Sequence, residues 1–183
     1  MRPTPTLPRL DNPQLIAPAR QLVLDAPLAL DCGQTLPRAT VNFETYGCLT
    51  DCGDNAILIC HSLTHRAHAG GRHSAEDRGR GWWDGAIGPG KLLDTDKYFV
   101  ICTDALAAGG TTGPASVDPA TGRPYGMRFP VLTVRDMVNL QSRFIRRPQW
   151  RDGDYYGTAF PRDGLNAAVA AAVPLWMSRE AME

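Results

Sequence analysis

Two short apolar runs without a single charge, AILIC at 56–60 and YFVIC at 98–102, constrain the fold of this 183-residue chain more than any other feature. Each is too short for a buried helix and is rich in β-branched or aromatic residues, so each reads as a strand covered on both faces. A third run at 39–45 alternates in character and suits a strand with one buried face. Between the two apolar runs lies a glycine-rich stretch, 69–90, that holds Trp82 and Trp83. It is long for a plain connection, and a short helix is expected within it. Strands buried on both faces, separated by such a connection, predict an α/β arrangement.

A second glycine- and proline-rich loop occupies 104–130, and a helix is predicted over 133–145. Thr133 takes the N-cap position and Asp136 follows three residues later, the spacing of a reciprocal cap. Val134, Met137, Val138, Phe144 and Ile145 fall on one face of that helix, which Gln141 interrupts. Pro161 and Gly164 mark the entry to a second short helix, 164–173, which stops at Pro174. The first twenty residues carry Pro3, Pro5, Pro8, Pro13 and Pro18, which resist both helix and ladder pairing. The expected division is a proline-rich leader at 1–27, a main unit at 28–145 and a helical segment at 146–183.

Lysine plus arginine and aspartate plus glutamate both number 19, so no overall field favours nucleic acid or an anionic membrane. No run of eighteen apolar residues occurs, and the first thirty residues lack the basic, apolar, small-residue order of a signal peptide. A cytoplasmic location is expected. The five cysteines form an odd set, and Cys60 and Cys102 end apolar runs, where a reduced thiol packs as a small hydrophobe.

The stretch NAILICHSLTHRAH at 55–68 is an apolar strand that breaks sharply into a histidine-bearing loop. A loop in that position can present a backbone N–H to the negative oxygen of a tetrahedral acyl intermediate. Further blocks follow in order: FETYG at 43–47, GWWDGAIGPGK at 81–91, DTDKYFVIC at 94–102, TGPAS at 112–116, PATGRPYG at 119–126 and FPVLTVRDMV at 129–138. Together with NAILICH at 55–61 they closely resemble the homoserine O-acetyltransferase family, whose relatives include serine and homoserine O-succinyltransferases. The resemblance covers residues 28–145. It implies an α/β-hydrolase fold and transfer of an acyl group from acetyl-CoA or succinyl-CoA, through a nucleophilic serine, to the hydroxyl of homoserine or serine. That reaction belongs to amino-acid and methionine biosynthesis and uses the acyl-CoA as co-substrate, with no other cofactor implied. By position, Leu63 matches the family's oxyanion-hole backbone donor.

The family's serine sits in an elbow resembling G-x-S-x-G, with an aspartate and a histidine late in the chain. Here the five serines are Ser62, Ser74, Ser116, Ser142 and Ser178, and none is flanked by glycine two residues before and after. No histidine follows His73. A serine without a base is a poor nucleophile. No catalytic residue is therefore assigned, and Leu63 is left as a structural element. Arg146, Arg147 and Pro148 stand where the elbow strand is due, while 148–156, 161–165 and 176–182 resemble a later part of the family. The resemblance thus implies an internal deletion with loss of the C-terminal part, and a partial α/β-hydrolase fold lacking the elbow strand and later sheet strands. The family also has glycine and a small polar or acidic residue where this chain has His65 and Arg66.

Other readings compete for the same residues. Cys60, His61, His65, His68 and His73 could wrap a cation, but structural zinc sites show paired short spacings, and no metal is assigned. Trp82 and Trp83 read as packing residues, and Arg143, Arg146, Arg147 and Arg151 as a solvated surface. The turn at 111–113 lacks the lysine of a phosphate-binding loop. Loss of the elbow strand would leave the 56–60 strand unpaired on one side. That supports an alternative function: a non-catalytic binding or regulatory module pairing through this edge, with a second copy or an intact relative. A decayed gene product without settled function is the remaining reading.

Overall fold

The computed structural model describes residues 15–50 and 53–145. Its centre is a four-stranded sheet built from β1 (Arg20–Val23), β4 (Thr40–Tyr46), β5 (Ala56–Ile59) and β6 (Phe99–Thr103), in the order β1-β4-β6-β5. β1 and β6 flank β4 antiparallel, with Arg20 opposite Phe43 and Phe43 opposite Thr103. β5 pairs parallel to β6, Ala56 opposite Phe99. Two small ribbons complete the β structure: β2 (Leu28–Ala29) with β3 (Thr35–Leu36), and β7 (Val117–Asp118) with β8 (Arg123–Pro124). The single α-helix among the described residues is α1 (Val134–Ile145), preceded by one 3-10 turn at Gly126–Arg128.

The uncharged sequence of β6 follows from its place. All five of its residues are buried, because both neighbours are strands and both faces are covered. Phe99 and Ile101 enter one core with Val41, Phe43, Leu28, Leu36, Leu106, Leu140 and Phe144. Val100 and Cys102 point the other way, into a second core with Tyr46, Ile59, Ala69 and Ile87. This is the period-two alternation of a strand feeding two layers. α1 lies on the first face, where the Phe144 ring sits 4.8 Å from that of Phe43.

The three predicted strands and the first helix form within a residue or so of their predicted limits, and β5 lies at the sheet edge. Three expectations change. The leader boundary at residue 28 falls too late: β1 pairs with β4, Ala17 is buried, and its N–H reaches the Arg72 carbonyl at 2.8 Å. The stretch 69–90 holds no helix. The Trp82 and Trp83 amides bond to the His68 and Ala69 carbonyls, and a Cβ on Gly81 would run into the Ala69 carbonyl and the Gly70 nitrogen. Turns therefore lay this segment against the loop after β5.

The third change concerns α1. Its buried residues are Asp136, Leu140 and Phe144, while Val134 and Val138 are exposed, so the covered face is rotated from the one drawn through the valines. The cap explains the rotation. Thr133 N–H donates to Asp136 Oδ2 at 2.8 Å and Asp136 N–H to Thr133 Oγ1 at 3.2 Å, closing the expected reciprocal cap. Asp136 Oδ1 also accepts the Asp31 N–H at 2.9 Å, which draws that side of the helix inward. Gln141 does not merely interrupt a face, for its amide donates to Thr103 Oγ1 at the end of β6. The predicted helix at 164–173 and the segment 146–183 lie outside the described residues.

Candidate functional site: the loop after β5

β5 ends at Ile59 and the chain turns immediately. His65 N–H bonds back to the Ser62 carbonyl at 3.0 Å, and His61 Nδ1 lies 2.7 Å from the same oxygen. Leu63 stands at the tip of this turn with its side chain 76 % exposed. Its backbone N–H makes no hydrogen bond among the described residues, so it is a donor open to an external acceptor. Ser62 Oγ is 2.5 Å from His65 Nδ1, and the His65 ring lies 4.5 Å from Trp82. Trp82 is fixed in turn by its Nε1–H on the Arg66 carbonyl at 2.8 Å and by its near-parallel partner Trp83. Both tryptophans pack against the second core.

Two buried carboxyl groups hold the descending limb of the loop. Asp104, one residue beyond β6, accepts the Ala67 N–H on Oδ1 at 2.7 Å; its Oδ2 accepts Asn42 Nδ2 at 2.7 Å and the Gly110 N–H at 3.0 Å. Gly109 has φ of +57°, and a Cβ there would strike this carboxyl group, so the turn needs glycine. Glu44, on β4 and 1 % exposed, receives His68 Nδ1 and the Tyr46 hydroxyl on Oε2, each at 2.9 Å, and His73 Nε2 on Oε1 at 2.9 Å. The Tyr46 oxygen accepts the Ala69 and Gly70 N–H groups at 2.8 and 3.1 Å. Burial, together with the adjacent Glu44 carboxyl group, pushes the Tyr46 phenol far above its usual range, so it remains a protonated donor. Burial raises the Cys102 thiol in the same way and keeps it unreactive.

The loop therefore stands on buried polar groups, and its tip is left free. Of the residues singled out by sequence, Leu63 occupies the tip, while His68 and His73 converge on Glu44. His61 and His65 engage the Ser62 carbonyl and hydroxyl instead. Glu44, Tyr46 and Asp104 were not foreseen as anchors of the site; a charge inside the strand block FETYG, and another two residues after YFVIC, were the available signals. Thr111 and Thr112, at the turn that resembled no phosphate loop, accept the Asn42 and Thr40 N–H groups at 2.9 and 2.8 Å. They satisfy amides of β4. Arg143 donates to the Pro27 carbonyl, and the other three arginines of its cluster lie outside the described residues.

No protein-family model matches the chain. Among curated proteins, a homoserine O-acetyltransferase of Deferribacter desulfuricans is 41 % identical over 209 residues, taking in 81 % of this chain and 55 % of the relative. A homoserine O-acetyltransferase of Carboxydothermus hydrogenoformans is 54 % identical over 120 residues, and a homoserine O-succinyltransferase of Halothiobacillus neapolitanus 55 % identical over 121. These two matches cover 65 % and 66 % of this chain, and 32 % and 30 % of the relatives. The chain is a partial homologue of the homoserine O-acyltransferases. It spans about half or less of the length of the curated relatives it matches. The Deferribacter alignment is longer than the whole 183-residue chain, so within it the relative carries residues that have no counterpart here.

Solved structures agree. The homoserine O-acetyltransferase of Bacillus anthracis superposes with a TM-score of 0.67 at 41 % identity, over 73 % of this chain and 37 % of that one. Esterase E22 follows with a TM-score of 0.65 at 38 % identity, over 71 % and 37 %. The described sheet and helix are part of an α/β-hydrolase fold, as the homoserine O-acyltransferase resemblance implied.

Proposed function

We propose that this chain carries the oxyanion-loop half of a homoserine O-acyltransferase site and does not complete acyl transfer by itself. The reaction would move an acetyl or succinyl group from coenzyme A to the hydroxyl of homoserine or serine, in amino-acid and methionine biosynthesis. Leu63 N–H would be the donor for the tetrahedral oxyanion, on a loop held in place by Glu44, Tyr46 and Asp104. The observation that carries the reading is the state of β5. Among the described residues it ends the sheet, and the sequence after α1 continues with Arg146, Arg147 and Pro148 where a strand and a serine elbow would be needed. A free backbone donor without an activated nucleophile contributes little catalysis.

The test is release of free thiol from acetyl-CoA and from succinyl-CoA, each with homoserine and with serine. Rates at the uncatalysed background are expected in all four mixtures. Turnover comparable to that of an intact homoserine O-acyltransferase would overturn the proposal. Both donors belong in the assay because the relatives' names divide between acetyl and succinyl transfer.

The β5 edge favours a second reading, in which the chain acts as a binding module. Ala56–Ile59 is an uncharged, proline-free strand that, among the described residues, β6 pairs on one side only, the kind of edge that accepts another strand. A second copy or an intact relative is the proposed partner, and size-exclusion chromatography with light scattering would detect it. No helix among the described residues is long and apolar enough to cross a membrane, and a cytoplasmic location is proposed.

A further inference from the structure

We propose that Glu44, His68 and His73 form a binding site for a divalent transition-metal ion of the zinc class. The three residues bring one ligand atom each to within 4.8 Å of one another. Glu44 faces both imidazoles from β4: Oε2 is 2.9 Å from His68 Nδ1, Oε1 is 2.9 Å from His73 Nε2, and the two rings lie 3.9 Å apart. Two imidazoles and a carboxylate form a donor set that suits zinc, cobalt or nickel, with a coordination position left for water. The cluster opens to solvent on one side, since His73 is 46 % exposed while Glu44 is 1 % exposed.

Two of the three ligands have orienting groups behind them. The Tyr46 hydroxyl donates to Glu44 Oε2 and fixes the carboxylate plane. Asp77 Oδ2 lies 3.8 Å from His73 Nδ1, so a metal on Nε2 would leave the remaining ring proton facing a carboxylate. His68 Nε2 is buried without a hydrogen-bond partner among the described residues, so the ring proton that a metal on Nδ1 would leave there has no acceptor behind it. A bound ion would tie β4 to the loop after β5 and to the segment beginning at His73. It would stiffen the base on which Leu63 stands, whether or not the chain supports acyl transfer.

The experiment is a cobalt(II) titration of the full chain, followed in the visible and near-ultraviolet, with zinc added afterwards in competition. Saturation at one ion per chain is expected, with ligand-field bands of nitrogen and oxygen coordination, no intense thiolate charge-transfer band, and displacement by zinc. His73→Gln, at an exposed ring, should weaken cobalt roughly tenfold to a hundredfold, and Asp77→Asn should weaken it by a smaller factor. His65→Gln should leave it unchanged. Zinc should raise the thermal midpoint of the original chain but not of the His73→Gln chain. A thiolate band, unsaturable binding, or equal affinity in the His73→Gln chain would overturn the proposal.

Discussion

The two faces of the sheet are built by different means. Toward α1, Val41, Phe43, Phe99, Ile101, Leu140 and Phe144 form an apolar layer whose cohesion is non-directional. Toward the loop, the same strands present Glu44, Tyr46 and Asn42, and with Asp104 these meet polar partners one by one: Tyr46 and Asp104 take backbone N–H groups, Asn42 donates to Asp104, and Glu44 holds the rings of His68 and His73. An apolar layer tolerates changes of shape at nearly constant volume. A layer of single hydrogen bonds tolerates none that turn an acceptor into a donor. The fold thus keeps adjustable packing on one side and fixed geometry on the side that carries Leu63.

The largest expected effect is on the apolar face. Phe144→Ala empties a site that is 1 % exposed beside Phe43 and should cost about 4 kcal/mol in urea unfolding followed by tryptophan fluorescence. Phe144→Leu, which keeps most of the volume, should cost about 1.5 kcal/mol. The opposite pattern is expected across the sheet. Asp104→Asn is close to isosteric, yet Oδ1 accepts one N–H and Oδ2 accepts two, so the new amide nitrogen meets a donor in either orientation. A loss of about 2 kcal/mol is expected. Should Asp104→Asn prove neutral while Phe144→Leu is severe, the contrast between the faces is broken.

A smaller effect tests the helix cap. Thr133→Ala should cost about 1 kcal/mol, because it removes the acceptor of the Asp136 N–H. Burial alone would raise the Asp136 carboxyl group, but the Thr133 and Asp31 N–H groups hold it below its ordinary value. The sign follows from that depression. Its contribution is present above the unfolded aspartate value, near 4, and is lost as pH falls through the lower folded value. Asp136→Asn should therefore flatten the acid limb of the stability profile and leave the neutral limb parallel to the original.

The apolar face was largely legible in the sequence, because strands and helix announce themselves through local spacing. AILIC, YFVIC and the Thr133–Asp136 cap needed no distant information. Leu140, left out of the predicted helical face, is buried because Asp31, more than a hundred residues earlier in the chain, helps set the rotation of α1. β1 was masked by the prolines around it and is defined only by its partner β4. The loop face was legible at its tip, where NAILICHSL marks the turn. Its anchors were not, since Glu44 meets His68 across 24 residues and Asp104 meets Ala67 across 37. Nothing in local spacing announces such pairs.

The smallest expected effect bears on what lies beyond the apolar face. Val134 and Val138 are 74 % and 52 % exposed on the outer side of α1. An exposed valine contributes little, and Val138→Lys should change stability by less than about 0.5 kcal/mol if this surface is bare. Ile57 supplies the comparison, because it sits on the edge strand and is only partly buried against the second core. If both Val138→Lys and Ile57→Lys prove mild at low protein concentration but costly at high concentration, the helix side and the strand edge are covered together by an associating chain. If Ile57→Lys alone depends on concentration, association runs through the strand edge and leaves the helix in water. Mild effects at every concentration would mean that β5 ends the sheet unpartnered in solution, and the binding-module reading would then have no surface to act through.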